Sequence, residues 1–313
     1  MANPEAILRA VSYHCEDFGR SVIQIDSHHC DQVRSSIFKP FGDGPDAGLG
    51  SLDLLPVEIL SNICLMLDVS AGFNFSQVNK RSRAIVASIP EYHQVGDHAL
   101  PALCALLRAD IGHHVAITSL QKALLTQDCQ SCGYFAGYLF LPTLTKCCFT
   151  CIESAGGLSA APLEKLANEV DMSADQLGEF VPIFHTLSST NSAASAVRGG
   201  RTYLVSERHC IQVLRALGRP EPAPTYFQDM HLPGLGFEAS VILPCFSPRT
   251  GEIQTGVSCR GCQMAMRIAP SEEAFLLRRL VYTREKFLDH FKVCEHAIHI
   301  WAAAQEGKPG IRA

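Results

Sequence analysis

The sequence predicts a mainly α-helical fold with small β-hairpins, in which an N-terminal helical unit precedes a metal-stabilised α+β region. Three observations lead to this prediction. Apolar residues recur at helical spacing in several segments, two stretches have the Gly/Pro punctuation of β-hairpins, and the 313 residues include 14 cysteines. A chain of this length can bury a sizeable core and suggests about two domains.

Composition and charge exclude several classes of protein. Hydrophobic residues make up 47% of the sequence and charged residues 18%, which is too apolar for a mainly disordered chain. The net charge is −5, so no overall positive field favours nucleic acid or an anionic membrane. No run of about 18 apolar residues predicts a membrane span, and the N-terminus lacks the apolar run of a signal peptide. We therefore expect the protein in the cytoplasm, the nucleus or both, where cysteines indicate metal binding rather than disulfides.

Shifts in composition divide the chain into five predicted segments. Residues 1–50 are expected to form a flexible leader, because they end in the Gly/Pro/Asp-rich stretch FGDGPDAGLG. A helical unit spans residues 51–95, and a helical region with a first cysteine cluster spans residues 101–218. A hairpin and a C-terminal helix with a second cluster span residues 237–304. Residues 305–313 form a tail.

The helical unit begins at a helix start signal. Pro56 suits the first position of a helix, because its missing N–H would lack a partner there. Glu58 follows in the first turn, where a carboxylate complements the helix dipole. Apolar residues then recur at helical spacing and predict one apolar stripe. The stripe consists of Ile59, Leu60, Ile63 and Leu67. A second helix is predicted at residues 78–86.

The rest of the chain combines short helices with two hairpins. Predicted helices are Pro101–Ala109, Thr118–Thr126, Ala161–Val170, Ala174–Phe184, a helix capped by Ser206 that runs to about Leu217, and a last helix from Thr283 to about Ala304. Residues 203–205 are a candidate strand. The first hairpin lies between the cysteine pairs of residues 128–151. The second is formed by Glu238–Cys245 and Glu252–Ser258 around the turn SPRTG.

Four cysteines between residues 129 and 151 have the spacing of a zinc site. Two Cys-x2-Cys pairs are separated by 15 residues, and each pair can form a tight turn that points both thiolates at one ion. The predicted ligands are Cys129, Cys132, Cys148 and Cys151. Cys147 is an alternative ligand, although adjacent side chains diverge. Buried thiols can also act as small hydrophobes, but five cysteines within 23 positions favour metal.

A second set of potential ligands lies near the C-terminus. It consists of Cys259, Cys262, His290 and Cys294. The last two are spaced i and i+4 on the predicted final helix and so share a face. An apolar stripe on the same helix leaves Cys294 a candidate core residue, and His296 competes with His290 as a ligand. We predict a structural Zn²⁺ at each set.

The segment LPVEILSNICLMLD…FSQVNKRSRAIV resembles an F-box, with its Leu-Pro opening and its Val-Asn-x-Arg sequence. The resemblance implies that residues 52–92 bind the Skp-type adaptor of an SCF ubiquitin ligase and, through it, a cullin. Apolar residues at the start of the first helix would dock in a groove of the adaptor. The residues implied in this contact are Leu55, Pro56, Ile59, Leu60, Ile63, Leu67 and Val78.

The resemblance extends beyond the F-box. The chain is similar to fungal-type F-box proteins that continue with CxxCG…LPT…CCxxC and end in CxGC…FLxHFxxC. The matching stretches here are CQSCG, LPT, CCFTC, CRGC and FLDHFKVC. This similarity covers most of residues 52–301 and implies zinc at both sites. It names no substrate, so we expect the C-terminal region to recruit an unidentified protein.

Other classes of protein fit the sequence less well. A zinc-dependent nucleic-acid-binding or transcription-related protein is the main alternative, supported by the basic run RRLVYTREK at residues 278–286. The acidic balance argues against a nucleic-acid partner. A RING-type ligase needs eight interleaved ligands in a compact segment, whereas the two sets here are more than 100 residues apart. A zinc site with four protein ligands leaves no open position for catalysis, so we expect a non-catalytic subunit.

Overall fold

The computed structural model describes residues 3–14, 17–39, 48–154, 157–187, 202–218 and 235–305. Within these ranges the chain is mainly α-helical with small antiparallel sheets, as the sequence predicts. The α-helices are α1 Pro4–Val11, α2 Ser27–Phe38, α3 Val57–Met66, α4 Val69–Ser76, α5 Lys80–Ser88, α6 Pro90–His98, α7 Leu100–Arg108, α8 Ile117–Leu125, α9 Phe149–Ser154, α10 Leu163–Val170, α11 Ala174–Gly178, α12 Glu207–Ala216, α13 Leu235–Glu238, α14 Arg260–Ile268, α15 Glu272–Arg279, α16 Arg284–Phe291 and α17 Glu295–Gln305. The strands are β1 Ser12–Tyr13, β2 Tyr138–Phe140, β3 Thr145–Cys147, β4 Ala160–Pro162, β5 Phe184–His185, β6 Tyr203–Ser206, β7 Ser240–Ile242, β8 Cys245–Ser247, β9 Glu252–Gln254 and β10 Ser258–Cys259.

The helical unit contains an additional helix, α4, between the two that the sequence predicts. Pro56 is the N-cap of α3 rather than its first residue. The Asp68 carboxylate caps α4 by accepting a backbone hydrogen bond at 2.7 Å. Asn79 and Ser82 form a reciprocal capping box at the start of α5. Gly72 lowers the helix propensity of this segment, so the sequence does not indicate α4. The Asp68 cap and the burial of one side of α4 stabilise the helix in the folded chain.

One hydrophobic core connects the helical unit with the region that follows it. The largest buried cluster includes residues from α2, the helical unit, α7, α8 and the sheet β3–β2–β7. Residues 102–106 of α7 are all buried at its centre. The expected boundary between residues 95 and 101 therefore lies inside a continuous core. A unit of about 45 residues is too small to bury a stable core alone, and α7 supplies the missing apolar surface.

Residues 3–14 and 17–39 are folded, so the expectation of a flexible leader is wrong for them. α1 packs against the C-terminal helices and α2 against the main core. The buried residues are Ile7, Leu8 and Val11 in α1, and Cys30, Val33 and Ile37 in α2. β1 pairs antiparallel with β10. The linker predicted at residues 41–50 falls mostly outside the described residues, as do residues 306–313 of the predicted tail.

The two predicted hairpins form, but the second differs in its strands. β2 and β3 pair antiparallel, with Tyr138 opposite Cys147. β8 pairs with β9 around a turn at residues 248–251, whereas β7 pairs with β2 instead of joining that hairpin. A third sheet, β4–β6–β5, packs with α10 and α12 around a separate small core. Ser206 caps α12 as predicted.

The predicted C-terminal helix consists of two helices, α16 and α17. Residues 292–294 form a turn between them, in which the Lys292 and Val293 N–H groups bond to carbonyls of the last turn of α16. This turn brings Cys294 next to His290. The helix predicted at residues 174–184 ends at Gly178. Two helices that were not predicted, α14 and α15, precede α16.

Arg83 fixes α2 to the helical unit. Its buried guanidinium donates hydrogen bonds to the carbonyl oxygens of Ser76 and Lys39, both at 3.1 Å, and to the Gln77 side chain at 3.0 Å. Lys39 follows the last residue of α2. A single side chain therefore satisfies acceptors from both segments, and its planar donor group suits this arrangement.

We expect Arg83→Lys to lower the free energy of unfolding by about 2–4 kcal/mol, because an ammonium group cannot reach three separated acceptors. Urea unfolding followed by circular dichroism measures this change. Arg81→Lys is the control, since Arg81 forms an exposed ion pair with Asp53 and its replacement should cost less than about 1 kcal/mol. Equal losses in the two variants would contradict the role given to Arg83.

Candidate metal centres and exposed apolar surface

The first predicted cysteine set converges in the structure. The sulfur atoms of Cys129, Cys132, Cys148 and Cys151 all lie within 4.8 Å of one another. Those of Cys132 and Cys148 are 3.5 Å apart. A tetrahedral site with metal–sulfur bonds of about 2.3 Å has edges of about 3.8 Å. This set, the first metal centre, could therefore hold a metal ion.

A tight turn and the start of a helix position these four thiols. The Cys129 N–H donates to the Tyr134 carbonyl at 2.6 Å, and the Gly133 N–H donates to the Cys129 carbonyl at 2.9 Å. Gly133 has a φ of 75°, which glycine adopts without strain. Cys148 follows β3 directly, and its carbonyl accepts a hydrogen bond from α9. Cys148 and Cys151 are thus held at the first turn of that helix.

Cys147 lies outside the first metal centre. Its sulfur is 3.8 Å from the Tyr138 carbonyl oxygen, and burial raises the pKa of its thiol. Within the centre, the hydrogen bond between Cys129 and Cys148 lowers the pKa of Cys129 and raises the pKa of Cys148. This pair therefore favours one thiolate, the form of cysteine that binds metal, beside one thiol.

The second predicted set, Cys259, Cys262, His290 and Cys294, also converges within 4.8 Å. The Cys262 sulfur lies 3.3 Å from His290 Nε2 and 4.0 Å from the Cys294 sulfur. The Cys259 and Cys294 sulfur atoms are 3.8 Å apart. Two ligands come from β10 and the first turn of α14, and two from α16 and the turn after it. These distances again match the edges of a tetrahedral site, and we call this set the second metal centre.

Neighbouring residues orient the second metal centre. The Tyr282 ring stacks on His290 with centroids 4.7 Å apart, and its hydroxyl is 3.4 Å from His290 Nδ1. This contact leaves Nε2 directed at the cysteines. A Cβ on Gly261 would lie 2.4 Å from the Ala297 nitrogen, so glycine permits the close approach of α14 and α17. Hydrogen bonding to Cys259 raises the pKa of His290 to about 9, and a bound cation would replace that proton.

One part of the second metal centre could not be predicted from the sequence. β1 pairs with β10 so that Ser12 lies opposite Cys259. The Arg260 guanidinium donates to the Ser12 carbonyl at 3.0 Å. A strand of two residues produces no periodic signal. The choice between the two histidines is decided in favour of His290, because His296 is not among the converging ligands.

The residues implied in adaptor binding differ in their exposure. Pro56, Ile59, Ile63 and Val78 are exposed, and Leu55 and Leu67 are half-buried. Leu60 is only 2% exposed and packs in the main core, so the structure assigns it to the core rather than to a contact surface. At 100° per residue, Ile59, Ile63 and Met66 share the outer face of α3, whereas Leu60 and Cys64 share its inner face.

Further exposed residues enlarge this apolar surface. Leu54 is 87% exposed and Met66 is 85% exposed. Of the 19 exposed large apolar side chains in the described part of the chain, seven fall within residues 52–78, so exposure is concentrated there rather than scattered. We call this set the 52–78 surface. It consists of Leu52, Leu54, Val57, Ile59, Ile63, Met66 and Val78.

We expect the protein to bind two metal ions per chain, one at each centre. Cys132→Ser should reduce this to one, because serine is a poor ligand where thiolates bind, and the exposed position changes little packing. Native mass spectrometry and elemental analysis measure the content. Cys147→Ser is the control and should retain two ions. Loss of an ion from that control would place Cys147 in the centre.

At the second metal centre, His290→Ala should lose one ion and His296→Ala should lose none, since only the first imidazole faces the cysteines. Acidification should release both ions, because the ligands bind in their deprotonated forms. Metal release can be followed with a chromogenic chelator during a pH titration. Equal metal content in the two histidine variants would contradict the ligand assignment.

Comparison of the chain with protein-family models, curated proteins and solved structures found no match. No helix within the described ranges has both the length and the apolar character needed to cross a bilayer. The function must therefore be inferred from the residues of the chain and their geometry.

Proposed function

We propose that this chain is an F-box subunit of an SCF-type ubiquitin ligase. It binds the Skp-type adaptor through residues 52–92, is linked through it to a cullin, and recruits a protein substrate through its C-terminal region. Two structural Zn²⁺ ions stabilise that region. The observation that carries the proposal is the 52–78 surface, where an F-box-like sequence coincides with exposed apolar side chains.

The 52–78 surface has the properties of a helix-in-groove contact. Ile59, Ile63 and Met66 fall within about 60° of one another around α3 at 100° per residue. Covering apolar area contributes about 25 cal/mol per Å². Leu60 and Cys64 anchor a neighbouring face of the same helix in the core. The contact residues are thus held in place before a partner arrives, which reduces the ordering cost of binding.

The chemistry of the two metal centres favours zinc. One offers four thiolates and the other three thiolates and an imidazole, and soft ligands in a tetrahedral arrangement are typical of Zn²⁺. Hard cations such as Ca²⁺ and Mg²⁺ prefer oxygen ligands. Four protein ligands at each centre leave no coordination position for a substrate, so we assign both ions a structural role and the chain no catalytic one.

The surroundings of the basic run at residues 278–286 favour a protein partner over nucleic acid. Three of its basic side chains form ion pairs within the described residues. The pairs are Arg279–Glu153, Arg284–Glu5 and Lys286–Asp128. Arg279 also lies over the Phe275 ring at 4.0 Å. Cations engaged in this way contribute little to the phosphate contacts that dominate nucleic-acid binding.

The state of the cysteines is consistent with the proposed location in the cytoplasm, the nucleus or both. Among the described residues, 13 cysteines have free thiols. Proteins of oxidising compartments usually pair their cysteines as disulfides, whereas reducing compartments preserve thiols for metal. The proposed role in an SCF-type ligase would also place this subunit in a reducing compartment.

Isothermal titration calorimetry with a purified Skp-type adaptor tests the proposal. We expect a one-to-one complex with the wild-type chain. The double variant Ile59→Glu/Ile63→Glu should bind at least about 100-fold more weakly, since two apolar anchors would carry charge into the groove. Both positions are exposed, so circular dichroism and metal content should remain unchanged.

The matched control is the double variant Ile268→Glu/Leu276→Glu, which places the same two charges at exposed apolar positions on α14 and α15 and should leave adaptor binding intact. Full binding by the double variant would rule out the 52–78 surface as the interface. If the wild-type chain retains two zinc ions but forms no complex, the F-box assignment fails, and the chain is a zinc-stabilised binding module.

A further inference from the structure

Two cavities adjoin each other between the folded leader and the two metal centres. The first has a volume of about 430 Å³ and the second about 420 Å³. They share four lining residues: His14, Phe135, Thr255 and Gly256. Each volume is within the range of about 300–1,000 Å³ that is common for binding pockets. We call the two cavities together the double cleft.

The first cavity suits an apolar group. Phe149, Ile242 and Val281 contribute to its walls. Ser258 also lines this cavity, but its hydroxyl is buried beneath the cavity surface. The accessible wall is therefore mainly apolar, which favours the burial of an apolar side chain.

The second cavity suits an extended backbone. All three residues of β9 line it, and among the described strands β9 pairs with β8 alone. One edge of β9 is therefore free of strand partners. An extended peptide can add to such an edge through main-chain hydrogen bonds, while pockets beside it select alternate side chains.

The charges at the double cleft favour an acidic ligand. Arg20 lines the first cavity and Arg9 the second, and neither forms an ion pair with a described residue. Arg284 is paired with Glu5, which leaves Glu252 as the remaining carboxylate among the lining residues. The double cleft thus has a net positive charge on a chain whose total is −5, and this contrast attracts anions.

We propose that the double cleft binds an extended peptide segment in which an apolar side chain stands next to an acidic one. The apolar side chain enters the first cavity, the carboxylate faces Arg20, and the backbone runs along β9. The identification of this peptide as part of a recruited substrate rests on the function proposed above. The binding of a peptide to the double cleft does not depend on that function.

A panel of fluorescein-labelled hexapeptides in a Gly/Ser background tests the proposal by fluorescence anisotropy with the full chain. Each peptide carries Leu, Phe or Trp directly next to one Glu. We expect saturable binding by members that hold both residues. Replacing Glu by Gln should weaken binding at least fivefold, and replacing the apolar residue by Ser should abolish it.

Two variants with matched controls locate the site. Ile242→Glu places a charge on the wall of the first cavity and should weaken binding at least tenfold. Ile298→Glu makes the same change on α17, where the residue has the same exposure of 41%, and should have no effect. Arg20→Glu should reverse the preference from Glu to Lys peptides, whereas Arg267→Glu, with an equal change of net charge, should not.

Adaptor binding by the same variants separates this proposal from the proposed function. If no peptide binds better than the Gly/Ser background, or if Ile242→Glu and Ile298→Glu behave alike, the double cleft is not a peptide site, even where the adaptor complex forms. Peptide binding by a chain that forms no adaptor complex would instead overturn the ligase assignment and leave the cleft proposal standing.

Discussion

The convergence of four ligands at each of two metal centres is the constraint on which the C-terminal architecture depends. The strands have only two to four residues, and a two-stranded hairpin alone is marginally stable in water. The first metal centre joins the turn at residues 129–133 to α9, and the second joins β10 and α14 to the boundary of α16 and α17. A cation at each centre would link these segments and make metal affinity part of the folding free energy.

In the helical unit, one face of α3 packs in the core and another face is exposed to solvent. Seven of the ten residues of α3 are apolar, which is more than one buried face requires. Here Leu60 and Cys64 enter the core while Met66 is left exposed. Arg83 also holds the unit against α2 through hydrogen bonds.

Features that depend on local residue spacing could be predicted from the sequence. Features that depend on pairing between strands far apart in the sequence could not. Six of the eight ligands are predictable because two residues between cysteines define a knuckle that needs no tertiary information, and His290 and Cys294 because of their i, i+4 spacing. Ser206 was identified as a cap for the same reason. The orientation of Leu60 is ambiguous because apolar residues cover more of α3 than one face, so periodicity does not select the part that is buried. The pairing of β7 with β2 and of β1 with β10 depends on contacts between segments about 100 or more residues apart, which no local pattern encodes.

The folded leader connects the two surfaces to which functions are assigned. α2 packs in the same core as the helical unit and α7, whereas β1 pairs with the strand that supplies Cys259. Between them, Arg20 and His14 line the double cleft. The bridge between Ile23 and Val241 ties this part of the leader to β7, which packs on α7. A substrate held in the cleft would therefore stand at a fixed position relative to the 52–78 surface, because the connection runs through packed elements rather than a linker. If the proposed ligase function holds, the folded leader would fix the distance between substrate and adaptor, which a flexible leader would not do.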